Sequence, residues 1–517
     1  MRGGEAAAPA IPNRGWITAS IMLANIMQGV DNTIANVALP HIQGSLSASQ
    51  DQIAWVLTSY IVCAAIMMPL TGWLAGRFGI KYIFLFSVSG FTIASALCGA
   101  STSLEQLVLY RGLQGICGAG LIPLSQATLL QINPPERHGH AMAVFGTGTI
   151  IGPMSGPLLG GWLTQDYNWR WIFYVNVPIG ILCTFGIILF IRYTRNVRRE
   201  PFDLFGFVTL SLAVGSLQLM LDRGELKDWF HSTEIWIETT ISGLSFYLFI
   251  IHTATTGERS FLNRDLLKNP NFVAGTLLMF TVGLIMTGNL ALLPTMMQQL
   301  LNYPAFETGV LTAPRAVGVL IAMFMVARMI GRIDNRLIIG FGFLMTAGAM
   351  WEMTGFSPYM GPEPIVISGL LQGFGLGCTF VPLNVVALST LPRQILTQAT
   401  AIRSLMRNLG GSIGISVLVA TLAENTQIVH SRLVEGLRPD NPLFQTSHLP
   451  GIANFTTPQG VAALNSVVTK QAAMVAYIND FKLMMIITLA ALPLLLLLRE
   501  PGRLVAAAAP QPAAADD

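Results

Sequence analysis

An aspartate and an arginine, Asp31 and Arg111, each interrupt an otherwise apolar stretch of the chain. Trp16 to Leu39 and Leu104 to Leu130 are both long enough to cross a bilayer as helices, so each charge must lie in hydrocarbon or in a polar cavity. Asp31 stands eight residues before Leu39 and Arg111 seven after Leu104, which at ~1.5 Å per residue places both roughly 10 to 12 Å below one membrane face. An ion pair between them is sterically open. Burial favours the neutral acid and a nearby guanidinium favours the carboxylate, so Asp31 reads either as a proton carrier or as half of a static buried pair. Intramembrane ionisable groups are usually functional, which favours the carrier.

Asn25, Gln28, Asn32 and Asn36 recur beside Asp31 at helical spacing and make a polar stripe that lipid would not tolerate. That face is expected to line a cavity. Gln114 and Gln126, in the span of Arg111, are expected to add adaptable hydrogen-bonding groups to it. Arg315 is placed with this set, its role open between structural and functional. The 23 methionines and 27 phenylalanines offer soft, repackable walls for varied ligands. Asp480 and Lys482 are further intramembrane charges, expected close to a surface; Glu307 and Glu352 fall near span ends, where a solvated carboxylate is the default.

The elements that must position these groups follow from composition. The chain has 517 residues, 52% hydrophobic and only 11% charged, with a mean hydropathy of +0.59. Soluble domains carry about 25% charged residues, so the chain reads as an all-α integral membrane protein, and its hydropathy predicts fourteen spans. An even number puts both termini on one side. Most cations outside the spans, Arg403 and Arg407 included, fall on that side; Arg170, Arg223, Lys227, Arg432, Arg438 and Lys470 fall on the other. The bias makes the termini cytoplasmic. The net charge of +3 is therefore a topology signal and calls for no nucleic-acid partner.

Two sequence echoes suggest a duplication. Leu113-Gln114-Gly115 through Pro123-Leu124 in span four returns as Leu371-Gln372-Gly373 through Pro382-Leu383 in span twelve. Gly76-Arg77 with Lys81, after span two, returns as Gly331-Arg332 with Arg336, after span ten. The expected organisation is a tail (1–14), a six-helix bundle (15–192), a cytoplasmic linker (193–203), two inserted helices (204–255) and a second six-helix bundle (256–498). An external loop (424–471) interrupts the second bundle, and a disordered tail (499–517) follows. The loop is either partner-facing or merely solvated.

Gly148, Gly152, Gly156 and Gly160 recur every four residues in span five, with Pro153 and Pro157 interleaved. Such a stripe lets helix backbones approach closely, and the prolines offer a bend for gating. A dinucleotide fingerprint is excluded, because no strand precedes the glycines. Gly72, Arg77, Gly79 and Lys81 are expected to form a tight cytoplasmic turn between spans two and three. Cys63, Cys98, Cys117, Cys183 and Cys378 lie inside spans at no metal or disulfide spacing. The sequence holds no Walker phosphate loop, His-Glu-x-x-His or Gly-x-Ser-x-Gly, so ATP hydrolysis and common hydrolases lack their groups and no cofactor or metal is implied.

The Asp31-Asn32-Thr33-Ile34-Ala35-Asn36-Val37-Ala38-Leu39-Pro40 segment, the Gly72 to Lys81 loop, Arg111-Gly112-Leu113-Gln114-Gly115 and the Gly-Pro run of span five together resemble the major facilitator superfamily. More narrowly they look like its fourteen-span drug:proton antiporter branch. Trp169-Arg170-Trp171-Ile172-Phe173-Tyr174-Val175-Asn176-Val177-Pro178 and Leu217 to Gly224 followed by Asp228-Trp229-Phe230 are similar to the EmrB exporters. The resemblance covers nearly the whole chain. It implies alternating access between two bundles in a bacterial inner membrane and exchange of an incoming proton for an outgoing amphipathic compound. It places Asp31 and Arg111 at the family's charged positions, and implies a periplasmic adaptor and an outer-membrane channel as partners. The chain departs from the superfamily at Gly76, where an acidic residue is usual. Competing readings are an exporter of one endogenous metabolite or siderophore, and a non-transporting membrane receptor or scaffold acting through 424–471.

Overall fold

Local chemistry sets where the helices begin and stop. Ser49 and Gln52 form a reciprocal capping box at the start of the second long helix. Asn269 accepts from the backbone N–H groups of Asn271 and Phe272, with Pro270 in the first turn of the helix it caps. At the other kind of boundary, Gly79 at φ 90° alone separates the second helix from the third, a backbone conformation that side chains resist.

A computed structural model describes residues 13–191, 201–257, 260–392, 394–437 and 457–499. Its long helices are α1 (Arg14–Leu46), α2 (Gln50–Phe78), α3 (Ile80–Ala100), α4 (Leu104–Ile132), α5 (His138–Asp166), α6 (Trp171–Phe190), α7 (Leu204–Arg223) and α8 (Thr233–Thr256). They continue as α9 (Pro270–Gln299), α10 (Phe306–Met329), α11 (Asn335–Met353), α12 (Glu363–Ser389), α13 (Leu396–Gly436) and α14 (Pro458–Leu497). Twelve of these are long and apolar enough to cross a membrane. The other two, α1 and α11, occupy the first and eleventh of the fourteen expected positions; α1 falls short in hydropathy because it carries Asn25, Gln28, Asp31 and Asn32.

The helices pack as two similar bundles. In the first, α1 lies along α5 and α6, α2 and α3 pack on α4, and α3 meets α6. In the second, α9 lies along α13 and α14, α10 and α11 pack on α12, and α11 meets α14. The two bundles meet through α2 on α13 and α5 on α10, again an equivalent pair, with α4 on α13 and α5 on α12. The inserted α7 and α8 pair with each other, and α7 rests on α2 and α13.

Three expectations need correction. The loop expected over 424–471 is helical on both sides, α13 running to Gly436 and α14 starting at Pro458; the segment between Leu396 and Gly436 contains no proline to stop it. Gly72 belongs to no turn: it sits inside α2, where a Cβ would lie 2.7 Å from Gln398 Cα of α13. Arg403 and Arg407, counted with the cytoplasmic loop cations, lie within α13. The expected tail 499–517 beyond Arg499, most of the linker 193–203 and the middle of the loop 424–471 lie outside the described residues.

Candidate functional site

α1, α2, α4 and α6 converge on Asp31. Its carboxylate is fully buried, and Arg111 Nη1 donates to Oδ2 at 2.8 Å, the guanidinium itself 1% exposed. Oδ1 accepts from Gln114 Nε2 at 2.9 Å and from Asn176 Nδ2 at 2.8 Å. Arg111 in turn gives Nη1 to Gln114 Oε1 at 2.8 Å and Nε to the Val56 carbonyl at 3.2 Å. Its guanidinium carbon lies 4.5 Å from the centre of the Tyr60 ring, a cation–π contact. A buried ion pair survives only when its remaining donors and acceptors are used, and here every carboxylate oxygen has a charged or amide donor.

The rest of the network fixes these partners in place. Asn176 Nδ2 also donates to Ser95 Oγ at 3.1 Å, and Ser95 Oγ to the Phe173 carbonyl at 2.9 Å. Asn176, Ser95 and Tyr60 belong to the site although no charge in the sequence marks them. The sole signal for Asn176 was its place in the Tyr-Val-Asn-Val-Pro run quoted above.

Of the expected polar set, Gln114 alone is hydrogen-bonded to the pair. Asn25 donates to the Phe145 carbonyl at 3.1 Å and to Thr149 Oγ1 at 3.0 Å, both on α5. Gln28 donates to the Gly118 carbonyl of α4 at 3.0 Å. Both side chains are buried between helices, whereas Asn32 and Asn36 are exposed. Gln126 Nε2 reaches across the bundles to Asn384 Oδ1 at 2.7 Å. Arg315 stays within the second bundle, donating to Asn289 Oδ1 at 3.2 Å and the Met286 carbonyl at 3.3 Å. Asp480 is 1% exposed and accepts from Thr421 Oγ1 at 2.8 Å, while Lys482 is exposed.

The glycine stripe of α5 runs along α1. A Cβ on Gly152 would come within 2.8 Å of Gly29 Cα, and one on Gly156 would strike Thr33 Oγ1. Pro157 has no N–H for the Pro153 carbonyl, and Thr33 Oγ1 supplies the missing donor at 3.0 Å. At the end bearing Arg77, Lys81 Nζ donates to the Ile188 carbonyl at 2.9 Å. A Cβ on Gly76 would meet nothing within 4 Å, so an acid there is not excluded by space.

The second bundle repeats the geometry without the acid. The offset that carries Gln114 to Gln372 carries Asp31 to Asn289 and Arg111 to Gly369. Gly115 of α4 abuts the Tyr60 carbonyl of α2, and Gly373 of α12 abuts the Arg315 carbonyl of α10. The guanidinium has thus moved to a neighbouring helix, its partner is an amide, and both polar atoms of Gln372 lack a hydrogen-bond partner.

Residues 21–415 match the Major Facilitator Superfamily model. The chain is 37% identical over 465 residues to the multidrug export protein EmrB of Escherichia coli (strain K12), covering 89% of this chain and 90% of that one. It is 35% identical to the probable multidrug resistance protein EmrY of the same strain, covering 90% and 92%. Its fold is similar to that of the human organic anion transporter MFSD10 (TETRAN), with a TM-score of 0.58 and 15% identity over 92% of this chain and all of that one. The Asp31–Arg111 bundle, its near-copy without the acid and the match across both place this chain in the major facilitator superfamily, among the EmrB-like proteins.

Proposed function

We propose that this protein is a proton-coupled antiporter that exports amphipathic drugs or other toxic compounds across the bacterial inner membrane by alternating access. Asp31 carries the proton and Arg111 tunes its affinity. The observation that supports this most is the Asp31–Arg111 pair, buried at 2.8 Å in one bundle and replaced by Asn289 and Gly369 in the other. An acid paired with Arg111 in one bundle, against Asn289 paired with Arg315 in the other, lets a proton on Asp31 bias one bundle alone. When Asp31 is ionised it holds Arg111, Gln114 and Asn176; when protonated it no longer neutralises the guanidinium, and the network must find another arrangement. The relatives' names, which speak of multidrug export and resistance, support the substrate class.

Positive-inside orientation makes the face of Arg77 and Lys81 cytoplasmic. Among the described residues, the closest approaches between bundles fall toward that face: Gly72 on Gln398, Gly139 on Ile330, Thr400 Oγ1 to the Pro123 carbonyl at 3.1 Å, and Gln126 to Asn384. Asn32 and Asn36, on the other side of Asp31, are exposed. In this orientation protons approach from the periplasm while the cytoplasmic side is shut.

The 41 residues of α13 make a helix about 60 Å long at ~1.5 Å per residue, twice the ~30 Å hydrocarbon thickness. His430 and Asn465 meet at 3.0 Å near its far end, so α13 and α14 form a paired projection on the periplasmic side. That projection supports docking of a periplasmic adaptor, which would lead to an outer-membrane channel.

The test is purified protein in liposomes under an imposed pH gradient, following a fluorescent amphipathic cation. Wild type should pump the dye, and Asp31→Asn should lower gradient-driven movement at least about tenfold. Equal pumping by the two proteins would reject the proton role.

A further inference from the structure

Arg403 lies two turns into α13 and is 1% exposed, yet its Nε, Nη1 and Nη2 have no hydrogen-bond partner. No ion pair reaches it among the described residues. Its side chain borders a narrow space of about 10 Å³ between the two bundles, room for no more than one water, together with Arg407 and Ser404 of the same helix, Gln126 of α4, Phe145 of α5 and Asn384 of α12. None of the residues lining this cavity is a carboxylate. Two guanidiniums and two amides thus face a space that holds no negative charge.

A guanidinium with all its donors idle is among the most unfavourable groups to bury. Volume alone would be filled better by methionine or leucine. What a planar five-donor fork offers is bidentate recognition of a carboxylate or similar oxyanion. Gln126 Nε2 donates to Asn384 Oδ1 at 2.7 Å across the bundle boundary, so parting the bundles would free the Gln126 N–H for a ligand, while Asn384 Nδ2 donates to the Phe380 carbonyl of its own helix. The Phe145 and Phe380 rings, 6.4 Å apart, stand beside the polar groups as an apolar wall. A space of about 10 Å³ is far below the ~300–1,000 Å³ of sites for drug-sized molecules, so a whole ligand enters only when that side opens.

We propose that Arg403, assisted by Arg407, Gln126 and Asn384, is a binding site for the anionic head group of an amphipathic carboxylate, loaded when the bundles part at the face of Arg77 and Lys81. The loading step rests on the carrier reading above; the binding chemistry does not.

The experiment measures binding without transport. Full-length protein in lipid nanodiscs, with no gradient and with empty nanodiscs subtracted, is titrated with pyrenebutyrate, pyrenebutanol and pyrenebutyl-trimethylammonium, which share one apolar body. Energy transfer from tryptophan reports occupancy. Wild type should bind the carboxylate about tenfold or more tighter than the alcohol. Arg403→Gln should abolish that preference and leave the alcohol and the ammonium within about twofold, while Arg403→Lys keeps part of it. An Arg403→Gln protein that retains the preference, or loses all three probes equally, overturns the site. Asp31→Asn should keep the preference, so an intact anion preference with failed proton coupling rejects the carrier reading alone, and the reverse rejects this site alone.

Discussion

At the scale of single residues, a buried carboxylate is held best by donors on both oxygens, which Asp480, with its Oδ2 unpartnered, lacks. Asp31 has them, and so does Asp203 at the start of α7. Asp203 accepts from the backbone N–H groups of Gly206 and Phe261, and from His252 at 2.9 Å. Burial alone would raise its pKa, but the two backbone donors and His252 outweigh it and hold the carboxyl below its ordinary value. A lowered folded-state pKa stabilises above the unfolded value, near 4, and that stabilisation is lost as pH falls through the still lower folded value. Asp203→Ala should therefore lower stability by about 1 kcal/mol at neutral pH, the usual loss of a helix cap. Thermal unfolding of the two proteins should converge as the pH is lowered below about 4; a gap independent of pH would assign the effect to packing. The charged core of the site was legible in the sequence because an acid or a base stands out in an apolar span, as with Asp31 and Arg111. Asn176 was not, since an amide near a span end looks interfacial. Arg403 and Arg407 are ambiguous for a related reason: an arginine near the start of a span resembles a topology anchor, whereas α13 buries Arg403 and half-buries Arg407.

At the scale of elements, glycines set how closely helices approach. The α1–α5 seam is built of Gly29, Gly152, Gly156 and Gly160, with backbone, Pro153, Thr33 or Ile34 where a side chain would go. Gly161 is next in sequence but faces open space. Gly156→Leu should therefore separate α1 from α5 and displace Asp31 from Arg111, with loss of transport and folded yield, whereas Gly161→Ala should change stability by no more than about 0.5 kcal/mol. Comparing detergent-extracted monodisperse protein and transport for the two variants checks this; equal damage would mean that the stripe is not the seam. The stripe, the span order and the duplication were readable because each is a periodic or repeated pattern. Helix ends were harder. Gly72 and Gly79 look alike in sequence, but one lies in a helix against Gln398 and the other forms the turn, a difference that depends on a partner far along the chain. The polar residues at the extended ends of α13 and α14 predict a loop, although polarity says nothing against a helix that leaves the membrane.

At the scale of the whole molecule, the two bundles have equivalent contacts but different chemistry. The first carries the ion pair; the second carries Arg315 on Asn289, and its Arg403 borders the space between bundles. Alternating access requires that the boundary between them open at one face when it shuts at the other. The contact to break is α2 on α13, where a Cβ at Gly72 would lie 3.0 Å from Gln398 Cβ. Disulfides hold Cβ atoms about 3.5–4.5 Å apart, so the helices need yield only slightly to admit one. The native cysteines Cys63, Cys98, Cys117, Cys183 and Cys378 are unpaired and stay in place as a background. Gly72→Cys with Gln398→Cys should cross-link on mild oxidation, pin the face of Arg77 and Lys81 shut and reduce transport at least about tenfold, with recovery on reduction and no effect of oxidant on either single variant. Undiminished transport by the cross-linked protein would mean that the bundles do not part along α2 and α13, and the closed face seen here would then be a permanent wall and not one state of a cycle.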